Sequence, residues 1–384
     1  MYFYNKHKIL KNDIEKVVKS LKSKNITKGI YLSIFEKKLK NYFGAKYSLA
    51  FSNGTSALFT IAKSLKWNSN DNILLSPMTF VAGANAVSSA GANIFFADID
   101  DYANLDPLKT EKKIIELKKR KKKVSAIIVT DYAGNPASWE KFVKLKKKYN
   151  LILINDNCHS LGSKLEGNKK YAVKYADIVV QSFHAVKNIT TAEGGAILTN
   201  SKKIYLNLKC LREHGFIKKN DNNLPWSYNL ESYGYNSRLS ELNCALGVSQ
   251  FQYLNKFIKR RNEIAKFYNL RFKKNNKLII PKVLKKNFCS YHLYPLRFKW
   301  EKIKISKKNF YKKLKNKYGI SLQIHYKPTY KFNFYKSFTK NVKKSFPNTE
   351  KFYKEVFSIP LYVDLKLKDI KYISESIIKT IENK

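Results

Sequence analysis

Gln181-Ser182-Phe183-His184-Ala185-Val186-Lys187-Asn188-Ile189-Thr190-Thr191-Ala192-Glu193-Gly194-Gly195 lies between two apolar runs. Ala176-Asp177-Ile178-Val179-Val180 before it predicts a buried strand, and Ala196-Ile197-Leu198-Thr199 after it predicts another. Lys187 therefore sits among small and apolar residues between core strands. Burial disfavours an ammonium, lowers its pKa and leaves a nucleophilic amine. That is the property required of a lysine that forms a Schiff base. In so lysine-rich a chain, a lysine on an exposed connection is the plainer local reading.

Working outward, short apolar runs alternate with helical stretches. Strands are expected at Tyr47 to Ser52, Asn72 to Ser76, Asn93 to Ala97, Val124 to Val129 and Leu151 to Asn155. That alternation predicts a mainly parallel sheet in an α/β domain. Helices are expected at Asp13 to Leu21 and at Leu32 to Phe43, the second ended by Gly44. Between them Lys24-Asn25-Ile26-Thr27-Lys28-Gly29 is a turn. Asn53-Gly54-Thr55-Ser56 links a strand to a helix start, where free N–H groups and hydroxyls attract a phosphate. Ser and Thr there also serve as plain caps. Leu239 opens a long helical stretch to about Phe272, and a domain boundary is expected near Leu254. Residues 255–384 read as a smaller α+β domain, with strands at Ser290 to Phe298 and Ile320 to Tyr326. Its helices are expected at Lys307 to Tyr318 and Lys368 to Ile381.

The length of 384 residues allows a large core and two domains. No apolar run spans a membrane, and the N-terminus lacks a signal-peptide core. Cys158, Cys210, Cys244 and Cys289 show neither metal nor redox spacing, so no metal is expected and a cytoplasmic setting fits. The net charge of +47 comes from 75 basic and 28 acidic residues. Nucleic acid or anionic membrane is the obvious partner for such a chain. Yet the lysines are dispersed, and abundant Asn, Ile, Tyr and Phe share A/T-rich codons with them. Compositional drift explains all of these together. No nucleic acid and no membrane is therefore expected, though a positive surface favours an anionic substrate.

Every fixed position of S-F-H-x-x-K-x-[IL]-T-x-x-E-G-G is met by residues 182–195. The chain closely resembles the sugar-nucleotide aminotransferases, fold-type I enzymes dependent on pyridoxal 5′-phosphate (PLP). The resemblance implies a mainly parallel seven-stranded sheet in a large domain, 1–254 with its N-terminal arm, plus the small domain 255–384. It implies Lys187 as the Schiff-base lysine and general acid/base, and Gly54, Thr55, Ser56 and Ser182 around the phosphate. Phe80, in Thr79-Phe80-Val81-Ala82, would stack on the pyridine ring. Asp156, at the end of its strand, would face the pyridine nitrogen, with His159 near the ring. Asn236, in Gly234-Tyr235-Asn236-Ser237-Arg238-Leu239, would reach the phosphate of a second subunit, making a homodimer with shared sites.

Tyr4, Lys24, Asn25, Ile26 and Thr27 would touch the sugar nucleotide. Gln323, Ile324, His325 and Tyr326, in Q-I-H-Y-K-P, would do the same. With Tyr291-His292-Leu293-Tyr294-Pro295 and Asp131-Tyr132-Ala133-Gly134, these residues most resemble the subgroup of pseudaminic-acid biosynthesis. The implied reaction moves the amino group of L-glutamate to C4 of a UDP-4-keto-6-deoxy-N-acetylhexosamine. The rival reading is a related enzyme with a different 4-keto sugar. A related dehydratase carries histidine where Lys187 stands.

Overall fold

The computed structural model describes residues 1–218, 224, 226–338 and 342–382. Seven strands form the main sheet: β1 Tyr47–Phe51, β2 Asn72–Leu75, β3 Asn93–Phe96, β4 Val124–Thr130, β5 Ile152–Asp156, β6 Ile178–Ser182 and β7 Gly195–Thr199. Their order is β1-β7-β6-β5-β4-β2-β3. All neighbours are parallel except β7, which runs against both β1 and β6. The largely apolar character of the strands follows from burial on both faces. Alternate residues serve opposite layers: Ile127 and Val129 face a core with Phe35, Trp139 and Phe142, while Ala126 and Ile128 face one with Leu58, Ile61 and Val87.

Four helices surround the first strands: α1 Lys11–Leu21, α2 Ile30–Phe43, α3 Gly54–Ser64 and α4 Ala82–Ser89. The start of α2 has no side-chain cap of its own. The buried Glu241 carboxylate supplies one, accepting from Tyr31 N at 2.7 Å and Leu32 N at 2.9 Å. Gly29 makes this possible, since a Cβ there would lie 2.9 Å from the Glu241 carboxyl.

The second part is a three-stranded antiparallel sheet, β8 Leu278–Ile279, β9 Tyr294–Phe298 and β10 Val356–Ile359. Tyr268, Phe272, Leu296, Phe310 and Ile377 fill its core. The helix Leu254–Phe272 serves both parts, with Phe257 and Ile258 in a core of the large sheet and Ile264 onward in the small one. The N-terminal arm packs on the small part, through Tyr2 N to Gly319 O at 2.7 Å and Leu361 N to Tyr4 O at 3.0 Å.

Three expectations are corrected. The stretch after Leu239 is two helices, Glu241–Gln250 and Leu254–Phe272, with a tight 3-10 turn at Phe251–Tyr253 between them. The strand expected from Ser290 starts at Tyr294: Tyr291 has φ 49, and Ser290 N is drawn to Gly134 O at 3.1 Å. Ile320 to Tyr326 is not a strand, because only Ile320 and Gln323 form isolated bridges, to Tyr2 and Ser358. Of the polar loop Lys218 to Leu230, residues 219–223 and 225 lie outside the described residues; Phe216–Lys218 pairs with Tyr228–Leu230 across it.

Glu241→Ala should lower the unfolding free energy by about 2 kcal/mol, the usual range for a lost helix cap that leaves buried donors unpaired. Urea denaturation measures it, and an unchanged midpoint would contradict this account of the α2 start.

Candidate active site

The C-terminal ends of β1, β4, β5 and β6 share one rim of the sheet, where β7 begins. Ligands in open α/β sheets bind beyond such strand ends. A cavity of about 810 Å³ opens there, between the rim and the small part.

One wall is the start of α3. Asn53 caps it, its Oδ1 accepting from Ser56 N at 2.7 Å. The first N–H groups of a helix have no intrahelical partner, and Gly54 and Thr55 carry theirs at the cavity edge. Ser182, at the end of β6, lines the same edge. Ser56 does not: its hydroxyl donates back to Asn53 O at 2.9 Å and lies 3.0 Å from Ser52 Oγ.

The floor carries Asp156 and Lys187. Asp156 is buried at the end of β5. Its Oδ1 accepts from Cys158 N at 3.3 Å, and its Oδ2 lies 3.3 Å from Thr130 Oγ1, itself 3.1 Å from Thr79 Oγ1. Lys187 lies in the connection from β6 to β7. Phe183 N bonds Gly194 O at 2.7 Å and Thr191 N bonds Phe183 O at 2.9 Å, closing the loop at its base. Burial lowers the Lys187 ammonium pKa, against the opposing pull of Cys158 and Asp156. The amine is therefore easier to deprotonate than an exposed lysine.

The remaining wall joins both parts of the molecule. Phe80 is half exposed into the cavity, its ring 5.8 Å from that of Tyr326. His159 is buried, and burial with the Lys187 charge drives its pKa well below 6.5, so the ring is neutral. Its Nδ1 accepts from Ala133 N at 3.3 Å, which puts the ring proton on Nε2. Nε2 then donates to Tyr326 Oη at 3.0 Å, freeing the tyrosine proton for another acceptor. Tyr4 packs its ring 4.7 Å from His325, and Gln323 and Ile324 complete this wall.

Twelve expected site residues thus meet around one cavity: Tyr4, Gly54, Thr55, Phe80, Asp156, His159, Ser182, Lys187 and Gln323 to Tyr326. Lys24, Asn25, Ile26, Thr27 and Asn236 do not line it. Lys24 to Thr27 is exposed beside the Glu241 helix, with Ile26 O accepting from Glu241 N at 3.4 Å. Asn236 bridges to Glu213, next to the end of β1. Lining residues that the sequence reading gave no role include Cys158, His184, Glu193, His292 and Lys327. His184 and Glu193 are fixed positions of the Lys187 motif, and His292 and Lys327 stood inside quoted motifs, which was the available signal.

A lysine with a weakened ammonium, one strand from a carboxylate on the rim of a mainly parallel sheet, suits amine–carbonyl chemistry. The class is a group-transfer enzyme of the α/β type. The chain belongs to the DegT/DnrJ/EryC1/StrS aminotransferase family, which its residues 7–378 match. The UDP-4-amino-4,6-dideoxy-N-acetyl-beta-L-altrosamine transaminase of Campylobacter jejuni is 36% identical over 382 residues, covering 100% of this chain and 98% of its own. The transaminase of that name from Helicobacter pylori is 35% identical over 384 residues, with the same coverage. Among solved structures, Helicobacter pylori PseC, an aminotransferase involved in the biosynthesis of pseudoaminic acid, aligns at TM-score 0.91 and 34% identity over 100% of both chains. The structure of Spr1654 from Streptococcus pneumoniae shares the fold at TM-score 0.89 and 24% identity, covering 99% of this chain and 98% of its own.

His325 gives the site a pH signature. Burial, then the Lys187 charge, pulls its pKa from 6.5 down to about 3. Between those values the unfolded chain binds a proton that the folded chain refuses, so stability falls as pH drops below 6.5. His325→Gln should remove about 1.4 kcal/mol per pH unit of that dependence across the window. Denaturant titrations at several pH values test this, and an unaltered slope would contradict a neutral, buried His325.

Proposed function

We propose that this protein uses PLP to move the amino group of L-glutamate to C4 of a UDP-4-keto-6-deoxy-N-acetylhexosamine, giving UDP-4-amino-4,6-dideoxy-N-acetyl-beta-L-altrosamine. One observation carries the reading: Lys187, Asp156 and the open start of α3 face a single cavity. The relatives at 35% and 36% identity over the whole chain support the sugar assignment. The second reading, a 4-aminotransferase for another nucleotide sugar, keeps the same machinery.

The residues fit PLP. The cavity edge between Gly54 and Ser182 is a cradle that a Cβ would fill, since one on Gly54 would lie 3.1 Å from Ser182 Cβ. Gly54, Thr55 and Ser182 would hold the phosphate there, joined by Ser56 if its hydroxyl turns from Asn53. Asp156 would keep the ring nitrogen protonated, Phe80 would cover one ring face, and His159 would sit at the ring edge. When bound, the cofactor supplies a cationic ring that draws electrons from the carbon being deprotonated. Lys187 supplies the amine and moves the proton at Nζ, a role matched to its lowered pKa. Tyr4 and Gln323 to Tyr326 would contact the sugar nucleotide. The division at 254/255 is part of the proposal, with each part bringing one side of the cavity.

The proposal includes a homodimer with shared sites. Asn236 and Lys24 to Thr27, the residues outside this chain's cavity, would serve the partner's. The exposed Phe216, Trp226, Tyr228 and Leu230 on the adjoining hairpin support an apolar interface. No described helix is long and apolar enough to cross a membrane. We place the enzyme in the cytoplasm, where nucleotide-sugar chemistry and free thiols belong.

Lys187→Ala should abolish transamination while the chain stays folded, and borohydride should trap the cofactor on Lys187 alone in the parent protein. Near-normal turnover by the variant would remove Lys187 from the reaction. A panel of UDP-4-keto sugars separates the two substrate readings by kcat/KM.

Mixing Lys187→Ala with Asn236→Asp tests the shared site. The second change sets a carboxylate against the phosphate and should weaken cofactor retention. After free exchange, half the dimers are mixed and each holds one intact site, so about a quarter of parental activity should return. An exchanged mixture that recovers nothing, or an active monomer, would overturn shared sites.

A further inference from the structure

Arg261 is buried in the helix Leu254–Phe272, and no carboxylate among the described residues pairs with it. Its guanidinium instead grips four oxygens. Nη1 donates to Tyr291 O at 3.3 Å, His292 O at 3.3 Å and Leu361 O at 3.1 Å. Nη2 donates to the Asn5 Oδ1 at 3.1 Å, and Nε has no partner among the described residues. Burial lowers the guanidinium pKa to about 10, which still leaves it charged at neutral pH. A buried cation without a counter-ion is costly, and an apolar side chain of similar volume is often as good or better for stability. Packing alone therefore does not explain this residue.

The hydrogen bonds lead to the active site. Asn5, itself buried, donates from Nδ2 to Val186 O at 2.8 Å and to His292 O at 3.4 Å. Val186 is the residue before Lys187. His292 lines the cavity with its ring 4.4 Å from that of His159, and its Nδ1 has no partner among the described residues. One guanidinium thus ties the N-terminal arm and the small part to the peptide that carries the reacting amine.

We propose that Arg261 and Asn5 are positioning residues for the transfer: Arg261 orients the Asn5 amide, and Asn5 holds the Val186–Lys187 peptide so that Nζ is set in the cavity. This rests on the reading of Lys187 given above. Guanidinium suits the task because its planar fork offers several donors in fixed directions. Asparagine suits the other link because it accepts from Arg261 and donates to Val186 at once.

Asn5→Asp in the full-length chain separates positioning from stability. Aspartate keeps the size and the acceptor for Arg261 and adds a counter-charge. It loses the donor and sets a carboxylate oxygen against the Val186 carbonyl. The expected result is an undiminished Tm with kcat lowered 10- to 100-fold, the scale for a reacting group displaced by about 1 Å. KM for both substrates should stay within about twofold, because the lost contact touches neither.

A second readout needs no turnover. In cofactor-free chain, acylation of Lys187 is followed against pH by peptide mass spectrometry. The midpoint should move to higher pH in Asn5→Asp, since a loosened loop rehydrates the ammonium. Arg261→Met should lower kcat in the same way, and the double variant should lose no more than the worse single one. Should Asn5→Asp not fold, Asn5→Ala carries the same measurements. A parental kcat with a parental labelling midpoint, or additive losses in the double variant, overturns the proposal. The labelling midpoint reports where Lys187 sits whether or not it is the reacting amine, so failure of that assignment would show separately, as turnover by Lys187→Ala.

Discussion

Gly195 has no room for a side chain. A Cβ there would stand 2.4 Å from the Asn53 carbonyl carbon and 2.6 Å from Gly54 N. The contact exists because β7 runs between β1 and β6 in the opposite direction, so the chain returns from the Lys187 loop directly beside the turn that starts α3. Backbone meets backbone at this point, which only glycine permits. The consequence is geometric. The start of α3 with its free N–H groups, the Ser182 hydroxyl and the Lys187 loop are held together by this backbone contact. Displacing β7 would separate the amine from that helix end, and the cavity would lose its floor.

Much of the fold could be read locally. Each sheet strand is a short apolar run with a turn residue beyond it, and such runs need no distant information. The Lys187 segment was legible for the same reason: its glycines, hydroxyls and lysine are contiguous. What escaped the sequence depends on distant partners. Ile320 to Tyr326 has strand-like residues, but its neighbour offers one pairing position at Ser358 and then diverges towards the cavity. The role of Gly29 is invisible without Glu241, 212 residues further on. His292 was noted only as part of a pattern, because its closeness to His159 arises where the small part folds over the rim. Ser56 shows the opposite case: its bonds here are those of local capping, its hydroxyl bonding back to the backbone of the Asn53 cap.

The support behind Asp156 is likewise long-range. Asp131, buried beyond the end of β4, accepts from Ala137 N at 2.7 Å, Trp139 Nε1 at 2.9 Å, Asn157 Nδ2 at 2.8 Å and Tyr171 Oη at 2.7 Å. Burial pushes its pKa up to about 6, and the bonds from Ala137, Tyr171, Trp139 and Asn155 oppose the rise. Asn157 is also bound by Gln181 of β6. The residue after Asp156 is therefore fixed from two strands and a helix, and Asp156 itself has little freedom to leave the cavity. A buried network of this kind, converging on one carboxylate, holds geometry more firmly than single contacts do.

The +47 charge of the chain bears on the site less than its size suggests. Exposed charges act over roughly 8 Å at physiological ionic strength, and most of the lysines lie on surface helices. The charged groups that line the cavity are Lys187 and Lys327 against Asp156 and Glu193. Two cations and two anions give a nearly balanced interior, and the buried histidines beside them stay neutral. With the function proposed above, a nucleotide diphosphate sugar would be drawn towards the protein by a field without directional detail. Its selection and orientation would fall to short-range groups: the Tyr326 hydroxyl freed by His159, the ring of Tyr4 and the segment Gln323 to Tyr326. A surface shaped by composition and a cavity shaped by geometry can accordingly change independently of each other.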